Sequence, residues 1–527
     1  VDTYTSIAPH GKRQFWEAIQ KWYGTRHPER ALRENLEVLL TQVGGDAYSH
    51  SIQYVDHHLS HASSAFYPSP FEKAAILTID GVGEYATTTY SLGERNLVSI
   101  QSELTFPHSL GLLYSAFTYY LGFRVNSDEY KVMGLAPYGE PRNIDQIENE
   151  MISWLDDGSF ALNPEYFGTF GGDEMITERF LKVFDEPKRR PESKLTQAHC
   201  DIAASVQAIT EKAVLRLASH IAEVSGNRNL CLAGGVALNC VANGKLLRSG
   251  IFDQIWIQPA AGDAGGALGA ALYTYFSSPE AEQRICGTDR MSGAFLGPSY
   301  KPRQIKSFLK ENSYPFTTFD CRNELNEEVC RLLAEEKVVG WFTGRMEFGP
   351  RALGHRSIIA DPRSPRMQTL LNLKIKYRES FRPFAPSVLE EHVGEFFELE
   401  GKSPYMLIVA DVVRDRRLSV SENTENQLWS ERLKVPRSDI PAVTHVDYSA
   451  RVHTVNKDVN PEFYDLLECF FRATGYPVLV NTSFNVRDEP IVCSPQDAYR
   501  CFMRTEMDVL VLEDIILLKE EQPLFIN

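Results

Sequence analysis

The chain has 527 residues, 43% apolar and 24% charged, with a formal net charge of −16. That length exceeds what a single core serves, so at least two cores are expected. No run approaches the roughly 20 uninterrupted apolar residues a membrane span needs, and the acidic excess argues against generic binding to nucleic-acid backbones.

Residues 1–50 read as helical and polar-aromatic, an unusual opening for an α/β nucleotide-binding domain, so the start of the chain reads as the middle of something. His57 and His61 follow at i,i+4 spacing in Tyr54-Val55-Asp56-His57-His58-Leu59-Ser60-His61, which aims two imidazoles at one point on a helix face. His58 lies about 100° around that helix and is expected to touch a neighbour instead. Taken alone, the pair serves equally well as two core histidines satisfied by backbone. Two loop carboxylates favour a metal: Asp80 ends the apolar strand 74–79 and opens the turn Asp80-Gly81-Val82-Gly83-Glu84, and Asp263 sits in the glycine-rich run 260–266.

The apolar spacing Ile202, Val206, Ile209, Val214, Leu217, Ile221 predicts a long amphipathic helix over 200–224. It leads into a strand at 230–233 and the turn Gly234-Gly235-Val236-Ala237-Leu238-Asn239, an order suited to cradling phosphate on backbone N–H groups. The same logic repeats at the strand 255–257 and Pro259 to Gly269. Composition turns to Ser, Pro, Gly and charge over 277–303, which predicts a domain boundary there. A second α/β unit then opens with a helix at 323–337.

After the expected strand 338–342, the segment 344–356 packs Arg345, Arg351 and Arg356 among three glycines, a composition suited to anions. Lys376 and Arg378 stand at i,i+2, so on an extended strand both point to one face. Arg supplies a planar fork for phosphate and Lys a compact charge. Residues 411–440, including Ser421, Asn423 and Asn426, read as a surface excursion. Arg451 and, after a strand at 476–480, Asn481, Ser483 and Asn485 add polar groups able to hold a nucleotide. Nine scattered cysteines without a Cys-x-x-Cys pair, and no secretory signal at Val1, predict a cytoplasmic protein.

Six motifs carry a family resemblance over nearly the whole chain: His-His-Leu-Ser-His-Ala, Ile-Asp-Gly-Val-Gly-Glu, Lys131 to Gly139, Ala-Gly-Gly-Val-Ala-Leu-Asn, Phe-Gly-Pro-Arg-Ala-Leu-Gly and Val-Asn-Thr-Ser-Phe-Asn. With them the sequence resembles the NodU/CmcH O-carbamoyltransferases. The resemblance implies an α/β architecture: an N-terminal Kae1-like domain of the actin/sugar-kinase superfamily over 1–290 and a C-terminal YrdC-like domain over 291–527. It implies that carbamoyl phosphate and ATP, with Mg2+, become carbamoyl-adenylate in the second domain, and that the first passes the carbamoyl group to a small-molecule hydroxyl, releasing AMP.

By motif, His57, His61, Asp80 and Asp263 would hold a divalent metal, iron(II), while Tyr54, Gly81, Gly83, Gly235 and Asn239 would contact the adenylate. Lys376, Arg378, Ser483 and Asn485 resemble the catalytic KxR and SxN pairs; with Arg351, Arg382, Arg451 and Asn481 they would bind ATP and carbamoyl phosphate. Family members also open with a β-hairpin, so about 80 to 90 residues of the pattern are expected ahead of Val1. A homodimer would fit the family. The sequence leaves the acceptor open among aminoglycosides, cephems, ansamycins, Nod factors and guanidinium alkaloids. Threonylcarbamoyl-adenylate chemistry on tRNA and a non-catalytic nucleotide-binding role stand as rivals.

Overall fold

The computed structural model describes residues 36–39, 41, 52–168, 174–420, 429–432 and 434–523. The helical reading of 1–50 therefore lies outside the described residues except at 36–39 and 41, which are helical, and Ser421, Asn423 and Asn426 lie outside them altogether. Among the described residues no helix is long and apolar enough to cross a membrane.

The N-terminal half is built on five strands: β1 (Lys73–Ile79), β2 (Ala86–Glu94), β3 (Leu97–Thr105), β6 (Asn229–Ala233) and β7 (Gln254–Ile257), with a small hairpin of β4 (Ile152–Trp154) and β5 (Phe160–Leu162) outside that sheet. Their order is β3-β2-β1-β6-β7, antiparallel on the β2 side of β1 and parallel on the β6 side. Every residue of β1 but Lys73 is buried, as expected for a central strand covered on both faces. The expected long helix runs Gln197–Ser225, opened by a Thr196–His199 capping box and closed by Gly226 in the left-handed region.

Two helices on this sheet matter for the site. His57–Phe66 crosses Asp263–Phe276, and a Cβ at Gly269 would meet the Ser60 carbonyl at 1.8 Å. Glycine is required for that approach, and the approach brings Asp263, at the start of its helix, towards the two histidines.

The C-terminal half holds nine strands: β8 (Thr317–Thr318), β9 (Val339–Phe342), β10 (Arg356–Ala360), β11 (Ala385–Leu389), β12 (Ile408–Asp411), β13 (Ser449–Val455), β14 (Val478–Ser483), β15 (Val509–Leu512) and β16 (Ile515–Leu518). They form one mixed sheet in the order β12-β13-β11-β14-β10-β9-β15-β16-β8. The helices Arg322–Ala334 and Pro461–Thr474 bury Val329, Leu333, Phe463 and Phe470 on one face of it, against Trp341, Ile359 and Leu479.

Two apolar clusters are present, as length predicts, but they do not divide at 277–303. The larger runs through both halves, from Ala62 to Leu517, and the smaller lies beneath those two C-terminal helices. Residues of the N-terminal half close directly on the second sheet. The helix Cys240–Arg248 lies along edge strand β12, where Asn243 donates to the Leu407 carbonyl at 3.1 Å and Arg248 to that of Val409 at 2.8 Å. A Cβ at Gly244 would stand 2.2 Å from the Val409 oxygen.

The strand expected for Lys376 and Arg378 is not there. Met367, Leu371 and Ile375, all buried, recur at helical spacing, and the chain follows that period through the helical turns Met367–Leu370 and Leu371–Ile375. Lys376 continues in helical backbone at φ −89°, ψ −18°, and Tyr377 turns the chain at φ 48°.

Two outcomes follow from this packing. Replacing Gly244 by Val should destabilise the protein by about 1–3 kcal/mol through overpacking, read as a lower melting temperature in calorimetry. The second concerns His453, whose ring accepts or donates at 2.7 Å to Ser387 Oγ and which burial holds down to about 3 from 6.5. Its folded pKa lies below the unfolded one, so its contribution is complete above pH 6.5 and is lost as pH falls towards 3. Across that window wild type should lose about 1.4 kcal/mol per pH unit more than His453→Gln in denaturant titrations; parallel profiles would contradict the assignment.

Candidate functional site

Asp80 leaves the end of β1 with its N–H bonded to the Thr87 carbonyl at 2.9 Å, so the strand itself aims the carboxylate. Its Oδ2 lies 3.0 Å from His57 Nε2 and 2.8 Å from His61 Nε2, and the two imidazole nitrogens are 3.1 Å apart. Asp263 Oδ1 stands 3.9 and 3.7 Å from the same nitrogens. One ligand atom from each of the four residues falls within 4.8 Å of the others. Cis ligands about 2.1 Å from one ion lie about 3.0 Å apart, so His57, His61 and Asp80 fit one face of an octahedral site, the two-histidine, one-carboxylate set that suits non-haem iron(II).

Electrostatics match the geometry. The hydrogen bond to Asp80 raises the His57 pKa against the cost of burial. Burial opposes charge on Asp80, yet hydrogen bonds from His57 and His61 hold its carboxyl well below the ordinary range. Glu84 accepts from the His57 N–H at 3.0 Å and so fastens the start of the helix. His58 behaves as expected of a neighbour-contacting ring: Nδ1 bonds Thr78 Oγ1 at 2.7 Å and Nε2 the Ala86 carbonyl at 2.9 Å.

The glycines divide by role. A Cβ on Gly83 would press on His57 at 3.0 Å and one on Gly235 would stand 3.0 Å from Asp80 Oδ1, so both permit close approach to the histidine–aspartate cluster. A Cβ on Gly81 would meet nothing within 4 Å, although its N–H already donates to Asp80 Oδ1 at 2.8 Å and its carbonyl accepts from Ser109 Oγ at 2.6 Å. Gly234, at φ 90°, would clash with the Ile79 carbonyl at 2.2 Å if it bore a side chain. Asn239 caps the helix Cys240–Arg248 and exchanges hydrogen bonds with Gln207 at 3.0 and 3.1 Å. Tyr54 is 61% exposed.

In the C-terminal half the structure brings Lys376, Ser483 and Asn485 together. Buried Lys376 donates to the carbonyls of Ser483 at 2.7 Å and Asn485 at 2.8 Å and also reaches both side chains. Burial, then Arg378, lowers its pKa well below the ordinary value. Arg378 donates to Asn372 Oδ1 at 2.7 Å and stacks 4.6 Å from the Phe384 ring. Burial lowers the pKa values of Arg351, Arg378, Arg382 and Arg451; repulsion from Arg451 and Arg382 adds to it at Arg351 and Arg378, and from Arg382 at Arg451, while Tyr130 and Glu379 oppose it at Arg382. Cations crowded this closely suit a polyanionic ligand.

Two of the three arginines in 344–356 belong elsewhere. Arg345 donates to the carbonyls of Leu296 and Gly297, and Arg356 to those of Thr343 and Pro298 while stacking on Phe342. Arg351 remains, its buried Nε without a hydrogen-bond partner among the described residues. Glu347 shapes its loop by accepting from the N–H groups of Leu353, His355 and Arg356 at 2.7, 3.0 and 3.3 Å. Asn481, fully buried, donates to the Ala352 carbonyl at 3.1 Å and to Ser387 Oγ at 2.9 Å, so it holds that loop from below.

Sequence reasoning passed over Tyr130, whose ring lies 4.4 Å from the Arg382 guanidinium, and Lys131, which bridges Asp128 and Glu379 at 3.0 Å each. Both belong to the N-terminal half. Lys131 opens a motif already singled out and Tyr130 precedes it by one residue, so the signal was present but not its destination.

The family model "Carbamoyltransferase N-terminus" matches residues 1–272 and "Carbamoyltransferase C-terminus" residues 330–519. An uncharacterized protein of Synechocystis sp. is 53% identical over 99% of this chain and 85% of its own. Nodulation protein NolO of Bradyrhizobium diazoefficiens is 38% identical over 88% of this chain and 79% of its own, and nodulation protein NolNO of Sinorhizobium fredii 39% over 92% and 66%. A crystal structure of full-length HypF in the phosphate- and nucleotide-bound form aligns with 40% of this chain and 23% of that chain, at 14% identity and a TM-score of 0.23, too low to carry an inference. With both family halves matched along its length, the chain belongs to the carbamoyltransferase family.

Proposed function

We propose that the protein forms carbamoyl-adenylate from carbamoyl phosphate and ATP in its C-terminal half and transfers the carbamoyl group to a hydroxyl of a small molecule in its N-terminal half. The supporting observation is the Lys376 ammonium fixed by Ser483 and Asn485 beside Arg351, Arg378, Arg382 and Arg451. Water takes the phosphoryl group of carbamoyl phosphate, which leaves carbamate and phosphate; a carbamate oxygen then bonds to the α-phosphorus of ATP as the bond from that phosphorus to pyrophosphate breaks. Fixed cations lower the energy of charge developing on the phosphoryl oxygens without reorganising as the reaction proceeds. In the second step the acceptor oxygen bonds to the carbamoyl carbon, its proton is lost and AMP departs.

His57, His61, Asp80 and Asp263 are the residues to hold a divalent ion, and iron(II) is the ion that the family resemblance implies. Such an ion supplies Lewis acidity towards a carbonyl or phosphoryl oxygen. Gly81 leaves open space on its Cβ side beside that cluster, where the adenylate can approach. Two relatives bear the name nodulation protein, which makes the hydroxyl of a Nod-factor sugar the first acceptor to assay. The net charge of −16 disfavours the tRNA-modifying alternative, which calls for a basic stripe.

ATP–pyrophosphate exchange should depend on carbamoyl phosphate, and Lys376→Ala should slow it about a hundredfold or more. Exchange that is absent from purified protein, or indifferent to Lys376, refutes the reading. Protein purified without oxygen should carry about one iron per chain by elemental analysis. The double variant His57→Ala, His61→Ala should lose that iron and the transfer step while keeping exchange; full iron in the double variant rules these ligands out.

A further inference from the structure

A cleft of about 420 Å³ lies between residues 365–383 and 434–446, and none of Lys376, Arg378, Arg382, Ser483 and Asn485 lines it. Five of its lining side chains are bases, Arg366, Lys374, Lys434, Arg437 and His445, and no Asp or Glu among the described residues lines it. The rest of its lining is mainly apolar, with Tyr138, Leu370, Pro436 and Val446 among it, and carries the polar side chains of Gln368, Thr369 and Thr444. The rim bases are already neutralised: Arg366 pairs with Glu336, Lys374 with Glu506 at 2.7 Å and Lys434 with Glu431 at 3.0 Å.

The two inner bases differ. Arg437 is 5% exposed and donates to the carbonyls of Arg432 and Val435 at 2.6 and 2.8 Å, with no carboxylate among the described residues in ion-pair range. His445 is 6% exposed; its Nδ1 faces Asp447 at 3.5 Å, and its buried Nε2 has no hydrogen-bond partner among the described residues. Asp447, the nearest acid, is held by the N–H and hydroxyl of Ser449 at 3.1 and 2.7 Å. A buried guanidinium without a counter-ion, next to an unpartnered ring nitrogen and apolar walls, is matched by a ligand that brings one negative group on an apolar body.

We propose that this cleft binds a small amphipathic organic anion, a carboxylate, sulfonate or phosphate ester seated on Arg437 and His445, at a site separate from the Lys376 cluster. Such a ligand touches the back of the neighbouring segment. Gln368, from inside the cleft, donates to the carbonyls of Ser380 at 2.7 Å and Arg382 at 3.2 Å, and Tyr138 to that of Phe381 at 3.0 Å. The side chains of Arg378 and Arg382 are thus carried on backbone that an occupant of the cleft presses from behind.

The probe is 8-anilinonaphthalene-1-sulfonate, a fluorescent aromatic sulfonate, titrated into the full chain. Leu373 lines the cleft and is 54% exposed, so its charge can be varied without disturbing the core. Saturable binding should weaken about tenfold in Leu373→Glu and in Arg437→Gln, hold or tighten in Leu373→Lys, and persist in Lys376→Ala. Equal affinities of the Leu373→Glu and Leu373→Lys proteins, loss of binding in Lys376→Ala, or no saturable binding would each overturn the proposal. Should Arg437→Gln fail to fold by circular dichroism, the two Leu373 variants still decide.

Discussion

The candidate site of the C-terminal half rests on one unfavourable interaction: Lys376, Arg351, Arg378, Arg382 and Arg451 are buried close together, with the Glu379 carboxylate beside Arg378 and Arg382. Repulsion of that kind survives only where the rest of the fold fixes the groups in place. Lys376 is satisfied by the oxygens of Ser483 and Asn485, Arg378 by Asn372 and the face of Phe384, and Arg382 by the face of Tyr130. Glu379 is itself tied to Lys131, so the carboxylate that moderates the cluster is held by the other half of the molecule. Such a site is ready to receive phosphate oxygens because its own groups need not move to do so.

The histidine–aspartate cluster depends on a different constraint, the closeness of backbones. Gly269 lets two helices meet, Gly234 lets the turn after β6 pass the end of β1, and Gly83 and Gly235 let loops fold over His57 and Asp80. His57, His61, Asp80 and the distant Asp263 converge because glycines stand where their backbones must pass closest. The half-open result, with His61 buried and the Asp263 side chain 83% exposed, leaves one flank of the cluster accessible.

How much of this was legible in the sequence depended on whether the signal was local. The i,i+4 histidines, the Asp80 turn, the long helix and the central strands were readable because periodicity and glycine chemistry act within a few residues. Lys376 and Arg378 stand on a different backbone from the one expected: i,i+2 spacing says strand, whereas Met367, Leu371 and Ile375 set a helical period that carried the chain on to Lys376. Of the arginines at 345, 351 and 356, composition could not say which would turn inward to carbonyl oxygens, since Leu296, Gly297 and Pro298 come from a distant stretch of chain. Tyr130, Lys131 and the Gly244 contact were invisible for the same reason, being made only when the halves meet. Apolar residues from both sides of 277–303 enter one cluster, a contact between distant stretches of chain that composition does not reveal.

That meeting of halves bears on the order of chemistry. A pocket whose cations come from one half and whose Tyr130 and Lys131 come from the other changes shape if the halves move apart, so its electrostatics report their closure. The chain's overall charge of −16 disfavours a long polyanion at a distance, while the buried cations round Lys376, in low-dielectric surroundings that strengthen their field, attract a compact one that reaches them. Charge therefore selects by size as well as by sign, which suits a nucleotide and a phosphorylated one-carbon donor and works against an extended nucleic acid.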